Sequence, residues 1–126
     1  MTIVFFETAS GQMPVKRYLD NLDKRALASM TVALHGLHTQ GMSGANIDIR
    51  KLRVGLWELK VGPHRVVFTQ LDHGQIVLLH AFRKQSHRTP LVEITTARSR
   101  LTRLIRSMLA SSASPQPRPK SPKLRR

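Results

Sequence analysis

The sequence contains no cysteine among its 126 residues. Disulfide bridges, thiolate catalysis and zinc sites with cysteine ligands are therefore excluded. Hydrophobic runs are short, and none approaches the roughly 18 residues that a membrane-spanning helix needs. The first residues, MTIVFFETASGQ, lack a basic segment and have only a four-residue apolar run, so no secretory signal is recognisable. These absences lead us to expect a cytoplasmic protein with no membrane partner.

Acidic residues are also scarce. The sequence has seven Asp and Glu against 21 Lys and Arg, which gives a net charge of +14. Such an excess predicts a polyanionic partner, which from charge alone could be RNA, DNA, the ribosome, an anionic membrane or an acidic protein, the alternative being a merely soluble basic protein. The stretch 111–126, SSASPQPRPKSPKLRR, has five basic residues, no acid and four of the seven prolines. This composition predicts a disordered tail, either a mobile extension or an extra contact to nucleic acid. Residues 1–110 keep a charge of +9 and predict one folded domain.

Hydrophobic periodicity separates a helical first half from a β-rich second half. β-forming residues at 2–7 predict a strand, and two helices follow, one over 13–22 and one with Asp23 as N-cap and Gly41 as its stop. A last helix is expected after Pro90. The order β-α-α-β-β-β-β-α predicts an α+β fold in which an antiparallel sheet packs on helices. The four strands of the second half are expected at 47–54, 56–61, 64–71 and 75–82.

Gly62 and Pro63 predict a two-residue hairpin loop, since glycine supplies the positive φ that a type II′ turn needs. In that register Lys60 pairs with Arg65, and Glu58 lies on the same face. Like charges directly opposite each other destabilise a sheet unless an acid or a ligand lies between them. Glu58 therefore either bridges the bases on a solvated face or orients them toward a bound phosphate.

The last predicted strand, 75–82, is apolar on both faces, which is typical of a strand covered on both sides. Strict alternation places His80 and Phe82 on the same face as Leu78. A histidine there is either a hydrogen-bonded structural residue or part of a site, since strand ends are common places for sites. A cluster of bases follows the strand: Arg83, Lys84, His87 and Arg88.

Motifs of other chemistries are missing from the sequence. His35 and His38 are three residues apart, and three further histidines are spaced by seven, but no carboxylate or cysteine completes a ligand set. Glycine-rich phosphate loops, serine elbows and paired carboxylates are also absent. We therefore expect neither a metal nor another cofactor.

Several short motifs together resemble the phage-derived HigB-like toxins of the RelE/ParE superfamily. They are KL at 51–52, GLWELK at 55–60, VLLHAF at 77–82 and TPLVEITTA at 89–97, with Arg65 and Lys84 between them. The resemblance covers about residues 3–105 and implies a RelE-like fold. It further implies the toxin of a type II toxin–antitoxin system, an endoribonuclease that cleaves mRNA on the ribosome and inhibits translation. The implied partners are a helix-turn-helix antitoxin, mRNA and ribosome, and operator DNA through the antitoxin complex.

The resemblance also implies roles for single residues. Lys51 and Arg53 match basic positions on the family's second strand, and Lys60 stands where the family usually has arginine. Arg65 matches the residue that holds the scissile phosphate, and His80, Phe82 and Lys84 match last-strand positions beside the concave site. Ala81, Gln85 and the pair His87-Arg88 depart from the family pattern. Many members use a tyrosine near the end of the fold, whereas the only tyrosine here is Tyr18.

The resulting hypothesis is metal-free RNA cleavage, in which the 2′-hydroxyl of the RNA is the nucleophile. The proposed catalytic residues are Arg65 as a phosphate clamp, Lys84 as stabiliser of the leaving group and His80 as acid or base, with His87 second. Glu58 would orient the bases, and RNA binding is assigned to Lys51, Arg53, Lys60, Arg83, His87 and Arg88. The rival hypotheses are a gyrase-directed toxin of the ParE branch, a basic non-enzymatic nucleic-acid-binding protein and a decayed toxin.

Overall fold

The structure is a computed structural model and describes residues 1–44 and 46–113. Its elements follow the predicted order β-α-α-β-β-β-β-α, with single 3-10 turns after α2 and β4, at Gly41–Ser43 and Asp72–Gly74. Residues 111–113, which the sequence assigned to the tail, continue the last helix, and the rest of that predicted tail lies outside the described residues. The elements are β1 (Thr2–Phe5), α1 (Pro14–Asp20), α2 (Lys24–Gln40), β2 (Asp48–Arg53), β3 (Leu56–Val61), β4 (His64–Leu71), β5 (Gln75–Arg83) and α3 (Leu91–Ala113).

The ends of α1 and α2 follow from local chemistry. Pro14 is the first residue of α1, where its missing N–H costs nothing because that group would be unpaired in any case. The Asp23 carboxylate accepts a hydrogen bond from the Ala26 amide at 2.8 Å and caps α2, as predicted. Gly41 ends α2 at φ 69°, a left-handed conformation that glycine adopts without strain.

The five strands form one sheet in the order β1-β5-β4-β3-β2. The meander β2–β5 is antiparallel throughout, as predicted. β1 adds to the sheet in parallel beside β5, so the complete sheet is mixed rather than purely antiparallel. The two helices between β1 and β2 make this long crossover possible.

Helices cover both faces of the sheet and create two apolar layers. Val15 of α1 and Met30 and Leu37 of α2 pack on the face that includes Phe68. Ile94 of α3 packs with its neighbours on the opposite face. In the described part of the chain no helix is both long enough and apolar enough to cross a bilayer.

A β-bulge in β5 changes which way its second half faces. Val67 of β4 pairs with His80, while the next residue of β4 pairs with Leu78, so Leu79 is the extra residue. Beyond the bulge, His80 and Phe82 lie on the α3 face, away from the face of Leu78. The strict alternation predicted for this strand is therefore wrong, because it assumed an unbroken ladder.

Candidate phosphate-binding cleft

The β3–β4 hairpin forms in the predicted register. Gly62 has φ 57° in the turn, and Lys60 lies directly opposite Arg65. Glu58 shares their face because residues 58, 60 and 65 all point to the α3 side of the sheet. The turn chemistry of Gly62 was therefore sufficient to predict the central charged pair of this face.

Arg65 is a buried base that the hairpin holds in place. Only 8% of the residue is exposed, and its Nη1 donates to the carbonyls of Gly62 at 2.6 Å and His64 at 3.0 Å. Its Nε lies 3.8 Å from Oε1 of Glu58 and, in the described part of the chain, makes no hydrogen bond. The guanidinium group is therefore fixed by the backbone of the turn rather than by a flexible partner.

Glu58 lies behind Arg65 and is completely buried, with an exposed fraction of 0%. Its carboxylate accepts from the Thr89 hydroxyl at 2.5 Å and from Nη2 of Arg50 at 3.2 Å. The same Arg50 nitrogen also donates to Oγ1 of Thr89 at 3.1 Å. These contacts satisfy a buried charge that would otherwise be very unfavourable, and they fix the orientation of Glu58.

A surface cleft opens in front of this network, and we call it the basic cleft. The Lys84 amide donates to the carbonyl of Pro63 at 2.8 Å, which joins the end of β5 to the hairpin turn. The Lys60 ammonium lies 3.7 Å from Asp48, an exposed acid on β2. The lining residues are Lys60, Pro63, Arg65, Lys84, Gln85, Ser86 and His87.

The electrostatics of the basic cleft are visible at Lys84. Desolvation lowers the pKa of this ammonium, and the positive charge of Arg65 lowers it further, whereas Glu58 opposes the shift. A lysine whose charged form is disfavoured in this way gains from a bound anion. The arrangement can therefore bind a phosphate with several donors and supply or accept a proton nearby.

Lys51, a predicted RNA-binding residue on β2, lies on the other face of the sheet because of a second register shift. Between Lys51 and Arg53 the β2–β3 ladder shifts by one residue, so Lys51 pairs with Trp57 on the α1/α2 face. Arg50 consequently occupies the position opposite Glu58. Lys51 does not widen the basic cleft, and that prediction is wrong. A hairpin without a bulge would have brought Lys51 to Glu58, so the sequence offered no signal for Arg50.

Arg53 also lies away from the basic cleft. It pairs with Leu56, four residues along β3 from Lys60, a separation of about 13 Å. Its guanidinium donates to the carbonyl of the neighbouring Leu52 at 2.7 Å. Arg53 therefore faces the same side of the sheet as Lys60 without lining the basic cleft, and its contribution to RNA binding stays a prediction.

The bases after β5 divide between the two faces of the sheet. Arg83 pairs with His64 and points to the α1 side, whereas Lys84 and His87 line the basic cleft. Arg88 is exposed in the following loop, where its carbonyl accepts from Ser86. The structure therefore brings together Lys60, Arg65, Lys84 and His87, but it separates Arg83 from them.

His80 lies outside the basic cleft, in a second cleft between α1 and α3. Its Nε2 is 2.7 Å from Oε1 of Glu93, and its Nδ1 is 3.1 Å from Nη1 of Arg100. Burial lowers the pKa of His80, an effect that Glu93 opposes and Arg100 reinforces. The sequence contained a signal for this contact, since Glu93 and Arg100 are seven residues apart and lie on one face of α3.

The single tyrosine is engaged on the opposite side of the sheet from Arg65. The Tyr18 hydroxyl lies 2.7 Å from Nδ1 of His64, and the two rings meet edge to face at 5.8 Å. Burial raises the pKa of Tyr18 and lowers that of His64. Over the ranges 1–44 and 46–113, no group of three or more potential ligands is arranged to hold a metal ion.

The combination of a mixed five-stranded sheet, helices on both faces and a cation-lined cleft at the hairpin end defines an α+β protein consistent with a RelE-like fold. The chain belongs to the family of phage-derived Gp49-like proteins (DUF891), whose sequence model matches residues 17–102. This family is commonly associated with the toxins of toxin–antitoxin systems. The match includes every residue that lines the basic cleft. A search of the curated proteins found no match.

Proposed function

We propose that this protein is a HigB-like toxin of a type II toxin–antitoxin system and cleaves mRNA on the ribosome. The observation that carries the proposal is the convergence of Lys60, Arg65 and Lys84 on one cleft. Three cations close together repel one another, and an anion between them removes that repulsion. The phosphodiester of RNA is the ligand that this charge and the family association favour.

The proposed reaction begins with the 2′-hydroxyl, which attacks the adjacent phosphorus and expels the 5′-oxygen of the next nucleotide. A base takes the proton of the 2′-hydroxyl, and an acid gives one to the departing oxygen, so the products are a 2′,3′-cyclic phosphate and a free 5′-hydroxyl. Arg65 and Lys60 stabilise the charge that develops on the phosphorane oxygens.

His87 and Lys84 are the groups best placed to move these protons. Both line the basic cleft, and the pKa of Lys84 is lowered by desolvation and by Arg65, which makes its proton easier to release. We assign Lys84 as the acid for the leaving oxygen and His87 as the base. One such group typically contributes about 10²–10⁴ in rate.

Lys60→Ala and Lys51→Ala form a matched pair for the first experiment. Both lysines lie on neighbouring strands, but Lys60 is half-buried and lines the basic cleft, whereas Lys51 is exposed on the other face. Ribosomes programmed with an mRNA should be cleaved by the wild type and by Lys51→Ala, whereas Lys60→Ala loses about tenfold or more, as expected for a lost charge-assisted contact. Equal activity of the two variants would remove the basic cleft from the reaction.

Mapping of mRNA 5′ ends after induced expression separates this function from its rivals. New 5′ ends within coding regions support the ribonuclease. Growth arrest with a DNA-damage response and intact mRNA would instead indicate a gyrase-directed toxin of the ParE type. Neither cleavage nor growth arrest would indicate a decayed toxin or a non-enzymatic binding protein.

The proposed partner is a helix-turn-helix antitoxin that neutralises the toxin and, in complex with it, binds operator DNA. The support for it is the association of the family with toxin–antitoxin systems. Co-expression with the product of the adjacent reading frame should restore growth and protect mRNA. If no neighbouring gene product relieves toxicity, this partner assignment fails.

A further inference from the structure

The bulge in β5 is the starting point for an inference about His80. A bulged residue leaves the regular ladder, and its carbonyl needs another partner. The Leu79 carbonyl finds one in Nη1 of Arg100, at 2.9 Å. The same nitrogen lies 3.1 Å from Nδ1 of His80, so one arginine of α3 contacts two consecutive residues of β5.

The protonation state of His80 follows from these contacts. An arginine is a hydrogen-bond donor only, so Nδ1 of His80 must accept and carries no proton. Nε2 then carries the ring proton and donates to Glu93 at 2.7 Å. The imidazole is therefore neutral, in a single tautomer, with both nitrogens occupied. Its side chain is 15% exposed, and its ring stacks on Phe82 at a centroid distance of 5.7 Å.

These contacts also define one end of the loop that lines the basic cleft. The loop from Lys84 to Pro90 connects β5 to α3. It contributes Lys84 and His87, the two groups proposed to move protons, to the lining of the basic cleft. It is held at its start by the hydrogen bond from Lys84 to Pro63, and near its end by the one from Thr89 to Glu58. The contacts of His80 with Glu93 and Arg100 fix the first three turns of α3 immediately beyond it.

We propose that His80 is a positioning residue and not the proton carrier of the reaction. By joining the bulge of β5 to Glu93 and Arg100, it holds α3 in place and so fixes the loop that brings Lys84 and His87 to the basic cleft. The kinetic part of this inference rests on the proposed ribonuclease function, whereas the structural part does not.

The structural test uses the full chain and requires no substrate. NMR of the histidine rings at pH 7 should show His80 as the Nε2-protonated neutral tautomer. Amide hydrogen exchange across residues 84–93 should be about 10- to 100-fold faster in the Arg100→Ala variant than in the wild type. The variant loses the hydrogen bonds that the charged Arg100 side chain makes to Leu79 and His80. Arg98→Ala is the matched control, since Arg98 is exposed on the same helix, and its exchange should be unchanged. A protonated or Nδ1-protonated ring, or unchanged exchange in Arg100→Ala, would overturn the proposal.

The kinetic test distinguishes positioning from proton transfer. His80→Gln, Glu93→Ala and Arg100→Ala should reduce kcat by similar factors, and the double variant His80→Gln/Arg100→Ala should be little worse than either single variant. Glu93→Gln, which keeps an acceptor for Nε2, should recover most of the activity. The plot of kcat against pH should keep both its acidic and its basic limb in all of these variants.

The opposite result identifies a catalytic histidine. If His80→Gln alone loses about 10²-fold or more and abolishes one limb of the pH profile, while Glu93→Ala and Arg100→Ala remain active, His80 itself moves the proton. If the wild type does not cleave RNA at all, the proposed function fails. In that case the tautomer of His80 and the amide exchange rates of the Arg100→Ala variant alone test whether His80 holds α3 in place.

Discussion

Thr89 donates a 2.5 Å hydrogen bond to Glu58, a residue 31 positions earlier in the chain. This contact connects the segment before α3 to the middle of β3, directly behind Arg65. It satisfies one carboxylate oxygen of a glutamate that has no contact with solvent. A threonine that appears ordinary in the sequence is therefore part of the support of the basic cleft.

Thr89→Ala should reduce the free energy of unfolding by about 1–3 kcal/mol, the cost of leaving a buried acceptor without its partner. Urea denaturation measures this difference. Thr95→Ala is a suitable control, because Thr95 is exposed near the start of α3 and should change stability by less than about 0.5 kcal/mol. Equal effects of the two substitutions would mean that the contact to Glu58 contributes nothing to stability.

Lys60→Ala should change the salt dependence of RNA binding. A lysine that contacts one phosphate of single-stranded RNA releases about 0.7 counterion, so the slope of log K against log salt should fall by about that amount. Fluorescence titration of a short RNA at four or five salt concentrations measures the slope. Lys51→Ala keeps the same net charge as Lys60→Ala, and we expect its slope to match that of the wild type.

Gly62→Ala should destabilise the hairpin by about 1–2 kcal/mol, because φ 57° is unfavourable for a residue with a Cβ atom. Among the described residues other than its two chain neighbours, none has an atom within 4 Å of the position that the new Cβ would occupy, so crowding plays no part. The predicted loss is therefore purely conformational, and thermal unfolding measures it. Gly62→Asn, which tolerates positive φ better, should lose less; an equal loss would contradict this explanation.

Stability should decrease as the pH falls below about 6.5, the ordinary value for histidine. Burial lowers the pKa of both His64 and His80, so the unfolded chain binds more protons than the native state between the lowered values and 6.5. The stability that each neutral imidazole contributes is fully present above pH 6.5. It is lost as the pH falls from 6.5 through the lowered pKa that the histidine has in the folded protein. Urea denaturation at pH 5.0 and pH 7.5 should show the loss, and His80→Gln should reduce the difference.

The sequence was sufficient to predict structure wherever the signal was local. The Asp23 cap, the Gly41 stop and the Gly62-Pro63 turn all formed as expected, since each depends on the chemistry of a few consecutive residues. The bounds of β3 and β4 are the predicted ones. The turn also fixes the register of the β3–β4 hairpin, so the pairing of Lys60 opposite Arg65 was predictable.

The sequence was not sufficient where packing changed a register. Bulges at Leu52 and Leu79 turn the side chains beyond them to the opposite face of the sheet. Arg50 therefore lies opposite Glu58 in place of Lys51, and His80 points to the α3 side. A single extra residue in a ladder leaves no sequence pattern of its own, because the alternation on each side of it remains regular. Contacts such as that of Thr89 with Glu58 depend on the complete fold and were equally out of reach.

The unbalanced charge of the basic cleft links ligand binding to folding. Lys60, Arg65 and Lys84 lie closer together in the native cleft than in the unfolded chain, and the two nearby acids, Asp48 and Glu58, offset only part of their repulsion. A polyanion that binds only the native state should therefore raise the melting temperature in proportion to the logarithm of its concentration. The free protein would then be less stable than the protein bound to a polyanion, and its lifetime in a cell would depend on the concentration of that polyanion.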